Sequence, residues 1–420
     1  MTQRDSREII ERLFSRTRHG IKLGLDRMLA ASDETGNPQN AYSSIHVAGT
    51  NGKGSVCAYM EAVIRSTGFR TGLFTSPHIV NFEERFIING NPVPTLKWLE
   101  VYCDVENIIE KYNLTFFEAI TLIAFELFKR EKVEWAIFET GMGGRLDATN
   151  IIVPRVSVIS VIGMDHTEYL GKNLSSIATE KLGIVKKNVP LVMLKSPQSA
   201  IESLAIKRCD EMSAPCFMVS EDHSGEYATN VNSTNFLYNG KKFTTTLNGK
   251  FQVKNAMVAI KALECAGFND IASMADGIAS TILPGRFQIL ELLNRIVVFD
   301  VGHNPNAAEA MADALKIRFD GLPMCFVTGI MKDKDIAGIL SHYCGMATRL
   351  ILTKPKTDRA APVEYLSGLV PAGFTGICEN IPDVDMALAV ALGRGEKIIC
   401  ITGSFFTVSE AMIALGVDPY

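Results

Sequence analysis

No apolar run in this chain approaches the ~20 residues that a membrane helix needs, so no membrane span is expected. An excess of basic charge is also missing. The formal net charge is -4, which leaves no electropositive footprint for nucleic acid. The nine cysteines contain no C-x-x-C pair and their number is odd. Cys57, Cys265 and Cys400 lie in apolar or helical runs, so they read as reduced, buried thiols of a cytoplasmic protein rather than as a zinc site. Thr2 to Arg7 are polar and charged, and no secretory leader is expected from them. Internal repeats and low-complexity tracts are absent too.

What is present is 420 residues, 47% hydrophobic and 21% charged, which is the composition of a globular protein too long for one ordinary core. Residues 7–30 predict two helical segments with a break near Gly20, and Gly36-Asn37-Pro38 predicts a loop. From Ile45 strands and helices alternate. Strands are expected at 45–48, 70–74, 133–138, 156–162 and 190–194, with helices at 55–67, 95–112, 115–130, 174–187 and 198–213. Continuous apolar strands such as Val156-Ser157-Val158-Ile159 suit a parallel sheet covered on both faces.

Residues 226–249 break that rhythm, and Tyr238-Asn239-Gly240-Lys241 is a hairpin signal. Helices at 252–266 and 270–282 lead to Pro284-Gly285, the expected domain joint. A second alternation follows, with strands at 296–300, 324–328, 349–353 and 397–401 and helices at 305–318, 383–393 and 405–415. The expected domains are therefore 1–284 and 285–420.

The most informative stretch is Gly49-Thr50-Asn51-Gly52-Lys53-Gly54-Ser55, between an apolar strand and a helical pattern. Strand, glycine loop, helix is the context a phosphate-binding loop requires. Glycines let backbone N–H groups close on phosphate oxygens, and the helix start adds partial positive charge. Lys53 would sit on the terminal phosphates and Ser55 would face a magnesium ion. The standard first glycine of such a loop is replaced by Val47, and Gly54 separates Lys53 from Ser55.

Reactive groups of parallel α/β sheets gather at strand C-terminal ends. Here those ends carry Thr75-Ser76-Pro77-His78, Glu139 with the glycine-rich run 140–147, and Gly163-Met164-Asp165-His166. Each has a plain structural reading. Ser76 can be a turn cap, Glu139 can pair with a local arginine, and Asp165-His166 can be a hydrogen-bonded turn. A lysine on a helix, such as Lys181, is normally a solvated surface residue. Together, at successive strand ends beside a glycine loop, the first three groups read as functional.

With those residues in place, the chain resembles the folylpolyglutamate synthase and dihydrofolate synthase family of the Mur ligase superfamily, nearly end to end. The carriers begin with Leu23-Gly24-Leu25-Asp26-Arg27, His46 to Ser55 and Thr75 to His78. Gly143 to Asn150, Asp165-His166-Thr167 and Glu180-Lys181-Leu182-Gly183-Ile184 follow in order. Asn255-Ala256, Pro284-Gly285-Arg286-Phe287, Asp300 to Pro305, Asp333-Lys334-Asp335 and Gly403-Ser404 complete the series. Leu182 and Thr140 stand where alanine and valine are frequent, and neither is a proposed ligand.

The resemblance implies an α/β fold: a P-loop type, mostly parallel sheet followed by a smaller Rossmann-like domain. It implies an ATP-dependent amide ligase, in which a carboxylate becomes an acyl phosphate and the amine of L-glutamate attacks it. By the same resemblance Thr50, Asn51, Gly52, Lys53 and Gly54 hold ATP phosphates, and Ser55 supports the metal. Ser76 and Glu139 are ligands of a first magnesium, and His166 of a second. Lys181 carries a carbamate made from carbon dioxide. Asn255 contacts adenine, Arg286 the phosphates and Asp300 the ribose, while His303 packs near the nucleotide. The ATP site then spans both domains, and domain closure accompanies turnover. Dihydropteroate is expected near Gly24, Leu25, Asp26 and Arg27, near Thr115, Phe116, Phe117 and Glu118, and near Leu146, Asp147 and Ala148. Phe116 and Phe117 offer rings for stacking on a pterin, with a core role equally open for one of them.

Both activities are expected: dihydropteroate plus glutamate, then further glutamates onto folates, by a monomer. A need for a monovalent cation stays open. The alternatives are a monofunctional folylpolyglutamate synthase, another Mur-type ligase and a nucleotide-hydrolysing binding module. A cell-wall Mur ligase would need an N-terminal nucleotide domain, for which the chain ahead of Gly49 is too short.

Overall fold

An uninterrupted apolar strand cannot leave either face in water, and the chain solves this by placing its apolar strands in parallel sheets under helices. The computed structural model describes residues 3–16, 24–220, 228–229 and 233–420. The chain divides into two compact units. One is built from the described residues of Met1–Glu226 with Leu237–Phe243 and Lys254–Thr281, the other from those of Tyr227–Phe236, Thr244–Val253 and Ile282–Tyr420. The expected break at Gly20, and Leu23, lie outside the described residues.

The first unit begins with α1 (Gln3–Ser15), α2 (Asp26–Glu34), β1 (Ser43–Ala48), α3 (Lys53–Ser66) and β2 (Thr71–Phe74). The next elements are β3 (Phe86–Ile88), β4 (Asn91–Pro92), α4 (Thr95–Lys111), α5 (Phe116–Arg130) and β5 (Trp135–Glu139). β6 (Val156–Ile159), α6 (Thr167–Leu170), α7 (Leu174–Leu182), β7 (Leu191–Leu194), α8 (Ser199–Met212) and β8 (Cys216–Val219) follow. The strands form one sheet in the order β4-β3-β2-β5-β1-β6-β7-β8. From β2 to β8 the neighbours are parallel. β3 and β4 turn back antiparallel at one edge.

Among the described residues, two apolar clusters pack on this sheet as follows. Trp98, Phe125 and Phe128 of α4 and α5 pack with Phe74 and Phe138 of the sheet. Ala178 and Leu182 of α7 pack with Ile201 and Ala205 of α8 and with Ala48, Ile159 and Leu191 of the sheet. The register puts Val47 opposite Glu139 and Ala48 opposite Ile159, so the ends of β1, β5 and β6 open side by side.

β9 (Ala228–Thr229), β10 (Thr234–Tyr238) and β11 (Lys241–Thr245) form a small sheet. Asn239 and Gly240, with φ of 48° and 73°, make the expected tight turn between β10 and β11, both central residues having the positive φ a type I′ turn demands. α9 (Lys250–Ala266) follows, and α10 (Ile271–Ala279) packs on α3 so closely that a side chain at Gly277 would strike the Val63 backbone.

The second unit contains β12 (Gln288–Leu292), β13 (Arg295–Asp300), α11 (Pro305–Phe319), β14 (Met324–Thr328), α12 (Ile336–Cys344) and β15 (Arg349–Leu352). It ends with α13 (Val363–Ser367), β16 (Ile377–Asn380), α14 (Val384–Gly393), β17 (Ile398–Thr402) and α15 (Phe405–Leu415). The order is β12-β13-β17-β14-β15-β16, parallel apart from β12. Phe287, Phe326, Tyr343, Leu350 and Cys400 lie in its core.

Several elements differ from the sequence reading. α3 starts at Lys53 rather than 55, because Gly52 at φ 82° is its left-handed cap. α7 ends at Leu182 rather than 187, because the Glu180 carbonyl accepts the Arg145 N–H at 2.7 Å and the chain turns there. β3, β4, β8, β12 and β16 were not expected. They are short and sit at or beside sheet edges, where one-sided pairing leaves a weak apolar pattern. Among the described residues, no helix is long and apolar enough to cross a membrane.

Candidate functional site

Two glycines of the loop after β1 are required by close approach. At Gly49 a side chain would collide with the Ser160 hydroxyl, and at Gly52 its Cβ would lie 2.5 Å from Asn255 Oδ1. The loop is pinned against the chain beyond β6. Thr50 N–H donates to the Val161 carbonyl at 2.6 Å. Thr50 Oγ1 donates to the Gly163 carbonyl and accepts from the Gly163 N–H, each at 3.0 Å, and Ser160 Oγ donates to the Asn51 carbonyl at 2.8 Å. α3 then opens at Lys53, and the first N–H groups of a helix have no intrahelical acceptor. That combination is an anion cradle. Ser55 is buried in the first turn, and Asn255 of α9 stands against Gly52.

Lys53 Nζ donates to the Gly49 and Thr50 carbonyls, both at 3.3 Å, and lies 4.0 Å from Glu139 Oε1. Glu139 is 2% exposed at the end of β5. Its Oε2 accepts from the Thr75 hydroxyl and from the Ser76 N–H at 3.2 Å. Among the described residues no three His, Cys, Asp or Glu side chains cluster in a way that could hold a metal. The donors beside the loop are instead one buried carboxylate and the hydroxyls of Ser55, Thr75 and Ser76. An oxygen-only set completed by phosphate is what magnesium accepts. His166 stands at a left-handed position, φ 48°, ahead of α6. Its backbone N–H donates to the Asp165 carboxylate at 2.9 Å, and its Nε2 is 3.8 Å from the same side chain.

Lys181 is the unusual cation. It is 4% exposed on α7, and its Nζ donates to the Gly49 carbonyl at 2.6 Å. Burial, and then the charge of Lys53, pull its pKa down to about 7. A large share of this lysine is therefore a neutral amine near neutral pH.

The loop after β5 supports that lysine. Asp147 is buried, and both of its oxygens are engaged within the loop. Oδ1 accepts from Thr149 N–H at 3.0 Å and from the Thr149 hydroxyl at 2.5 Å, while Oδ2 accepts from Met142 N–H at 3.0 Å. Burial raises the Asp147 pKa, and these hydrogen bonds oppose the rise. A Cβ at Gly144 would lie 2.7 Å from the Lys181 carbonyl, so only glycine lets the loop reach α7. Arg145 pairs with Glu180 at 2.9 Å, and Asn150 Nδ2 donates to the Arg145 and Gly183 carbonyls at 2.9 and 3.2 Å.

The segments expected to meet a pterin converge in part. Arg27 of α2 forks onto Glu118 of α5 at 2.8 and 3.3 Å. Glu118 also accepts from Thr115 N–H and hydroxyl, each at 2.8 Å, as the cap of α5. Leu25 precedes α2 as its cap residue, and Gly24, at φ 142°, and Asp26 flank it. Leu146 and Ala148 bracket Asp147 in the other loop. Phe116 is covered on one face by Phe14 of α1, with ring centroids 4.6 Å apart. Phe117 fills the space left by Gly141, whose Cβ would lie 2.6 Å from its ring.

Sequence reasoning missed Phe14 and Arg85 here and gave His78 no role beyond its strand-end motif. The Arg85 guanidinium lies 5.2 Å from the Phe116 centroid, and its Nε donates to His78 Nδ1 at 2.8 Å. Burial and Arg85 push His78 down to about 3, so it is neutral. Phe14 and Arg85 reach Phe116 from distant segments, and the Arg85–His78 contact is defined by burial that no local pattern marks.

In the second unit Arg286 lies 5.1 Å above the Phe405 ring, with His303 5.9 Å from the same ring. Asp300 is buried. Its oxygens accept from Phe287 N–H at 2.9 Å and Gly302 N–H at 2.8 Å, and burial raises its pKa against the pull of Arg286. Phe405 carried no sequence signal beyond its position after Gly403-Ser404.

Comparison with known proteins agrees with this geometry. Residues 47–263 match the Mur ligase middle domain, and residues 285–405 match the Mur ligase glutamate ligase domain. The dihydrofolate synthase/folylpolyglutamate synthase of Buchnera aphidicola is 36% identical over 366 residues, covering 87% of each chain. The Mycobacterium tuberculosis folylpolyglutamate synthase, solved with ADP and AMPPCP, is 28% identical, covers all of both chains and superposes with a TM-score of 0.92. The Yersinia pestis bifunctional enzyme, solved with AMPPNP and a manganese ion, is 27% identical over 98% of both chains, with a TM-score of 0.86. Matched nearly end to end by both domains and by these relatives, the chain belongs to the dihydrofolate synthase/folylpolyglutamate synthase family of ATP-dependent Mur ligases.

Proposed function

We propose that this protein joins L-glutamate to dihydropteroate and then adds further glutamates to folates. The observation that carries the reading is one strand edge on which the loop 49–55, Lys53, Glu139 and the buried Lys181 meet. A carboxylate is a poor acyl donor, because its leaving group would be oxide. Phosphorylation by ATP supplies a good leaving group, and the amine of L-glutamate then displaces phosphate. This chemistry asks for positioning and charge neutralisation more than for covalent help.

The chain's own groups fit those tasks. The N–H groups at the start of α3 and the Lys53 ammonium favour phosphate oxygens. Thr50 holds the loop rigid through its paired hydrogen bonds to Gly163. Ser76 and Glu139 would hold one magnesium ion and His166 a second, with Ser55 in support. Bound magnesium would neutralise phosphate charge. The neutral amine of Lys181 is the form that adds carbon dioxide, and the carbamate would replace a cation by an anion at Gly49. Asn255 is assigned to adenine. In the second unit, nucleotide contacts are assigned to Arg286, Asp300 and His303. The pteroate moiety is assigned to the wall made by Arg27, Glu118, Phe116 and the 146–148 turn, with Asp147 acting through the shape of its loop. One chain is assigned as the working unit.

The test is a panel of dihydropteroate, folate and tetrahydrofolate, each with ATP, magnesium and L-glutamate, read by product mass. Gain of one glutamyl unit on dihydropteroate, and of further units on a folate, is expected. Products from folates alone would leave the polyglutamylating activity and remove the dihydrofolate synthase.

A further inference from the structure

We infer that His46 is a positioning residue for Lys181, acting through Thr149 and the loop that ends β5. His46 lies in β1, three residues before Gly49, and is fully buried between β5 and β6. A buried imidazole at mid-strand would ordinarily be replaced by an aliphatic side chain, because its polar atoms need partners. One partner is present: Nε2 lies 2.8 Å from Thr149 Oγ1.

The direction of that bond follows from the next one. Thr149 Oγ1 lies 2.5 Å from Asp147 Oδ1, and the Asp147 oxygens already accept two backbone N–H groups. A carboxylate accepts only, so the Thr149 hydroxyl proton points to Asp147. Thr149 must then accept from His46, and the proton of His46 sits on Nε2. Nδ1 is left as a bare acceptor, and it is a buried atom without a hydrogen-bond partner. Burial, reinforced by the charge of Lys186, pushes the His46 pKa down to about 3, which keeps the ring neutral.

This chain of bonds closes a circuit. His46 holds Thr149, Thr149 holds Asp147, and Asp147 fixes the backbone at Met142. The same loop bears on α7 at Gly144 and Arg145, the latter donating its N–H to the Glu180 carbonyl at 2.7 Å. α7 carries Lys181, whose amine returns to the Gly49 carbonyl on the same β-strand exit as His46. The spacing between the phosphate loop and the Lys181 backbone is therefore set by a neutral histidine donor rather than by apolar packing alone. Lys186 belongs to the same layer, with its Nζ donating to the Asn150 carbonyl at 2.7 Å.

The test separates a donor role from a packing role. His46→Met fills the space without a donor, and His46→Gln supplies an N–H near the position of Nε2. With the ligase activity of the preceding section as the assay, His46→Met should lower kcat about 10–100-fold, as loss of an outer-shell partner does, while KM for ATP moves less than about threefold. His46→Gln should recover most of that loss. Thr149→Val should reproduce the His46→Met loss and Thr149→Ser should not. The double variant His46→Met with Thr149→Val should lose no more than either alone, because both cut one link. Thr149→Val keeps the test open if His46→Met fails to fold, and thermal melts identify that case.

A kcat within about twofold of wild type in both His46→Met and Thr149→Val, or losses that multiply in the double variant, would overturn the inference. The tautomer is tested without any substrate. With 15N-labelled histidine, the resonance that disappears in His46→Gln should show a neutral ring protonated on Nε2 at both pH 6 and pH 8. Protonation on Nδ1 or a doubly protonated ring would also overturn it. An enzyme inactive in every substrate combination would fail the ligase reading, while the NMR result would still judge the His46 geometry.

Discussion

Two glycine loops leave adjacent strands of the same sheet, and they are used in opposite ways. The loop after β1 is pinned from outside, by Val161, Gly163 and Ser160, and ends at the open N-terminus of α3. The loop after β5 is pinned from inside. Asp147, Arg145 and Asn150 all engage partners in the loop or in α7. The first keeps backbone donors for a ligand, and the second uses its polar groups to build a bed for Lys181. A glycine-rich stretch at a strand end is therefore not by itself a phosphate loop. What separates the two is whether the polar groups are already satisfied.

The largest effect should come from the binding loop. Lys53→Ala removes the cation between the Gly49 and Thr50 carbonyls and Glu139, and kcat/KM should fall by at least about 10³-fold, at the upper end for loss of one electrostatic stabiliser. Steady-state ADP release measures this, and retained turnover would mean that the two loops do not differ in the way described.

Next in size is the lysine that the second loop supports. Lys181→Ala should be inactive and should regain part of its turnover when acetate or a similar small carboxylate is added. Absence of rescue at any concentration would speak against a carbamate. The wild-type protein offers a pH version of the same test. The folded-state pKa of Lys181 is about 7 against an ordinary 10.5. Below about 7 the group is an ammonium with no lone pair for carbon dioxide, and above it the amine is free. At equal dissolved carbon dioxide, activity of protein stripped of it should therefore return faster at pH 8 than at pH 6. Without the carbamate, the unfolded chain holds this proton to higher pH than the folded one, so stability should rise as pH climbs from 7 towards 10.5.

Asp147→Ala opens the self-pinned loop. Turnover with dihydropteroate and with folate should both fall, by about 10–100-fold, because the loss passes through the loop and Lys181. A loss confined to dihydropteroate would place the carboxylate on the pterin instead. The smallest change is Gly144→Ala. Its new methyl meets the Lys181 carbonyl, and overpacking of this kind costs about 1–3 kcal/mol. A lowered thermal midpoint with a weaker effect on KM for ATP is expected, and an unshifted midpoint would show that the bed has slack.

The first loop was legible in the sequence because its chemistry is local: Gly49, Gly52 and Lys53 sit within five residues between a strand and a helix. The parallel sheets were legible for a similar reason, since Val156 to Ile159 can be buried on both faces only in such a sheet. Lys181 came into view only through resemblance, because a helical lysine reads as surface until its burial is known. Arg85 with His78, Phe14 on Phe116, and His46 with Thr149 were not legible as working groups. Two of these three contacts join residues about a hundred positions apart, and the third is defined by burial that no seven-residue spacing announces. The short strands β3, β4, β8, β12 and β16 escaped because edge pairing imposes little on composition.

The central claim is that ATP turnover is coupled to glutamate ligation at the edge shared by the two loops. The most direct measurement is ADP release by the purified protein with ATP and magnesium, omitting dihydropteroate and L-glutamate one at a time. Release that requires both, with one ADP for each glutamate joined, is the predicted result. Release at the same rate with either omitted would contradict the account.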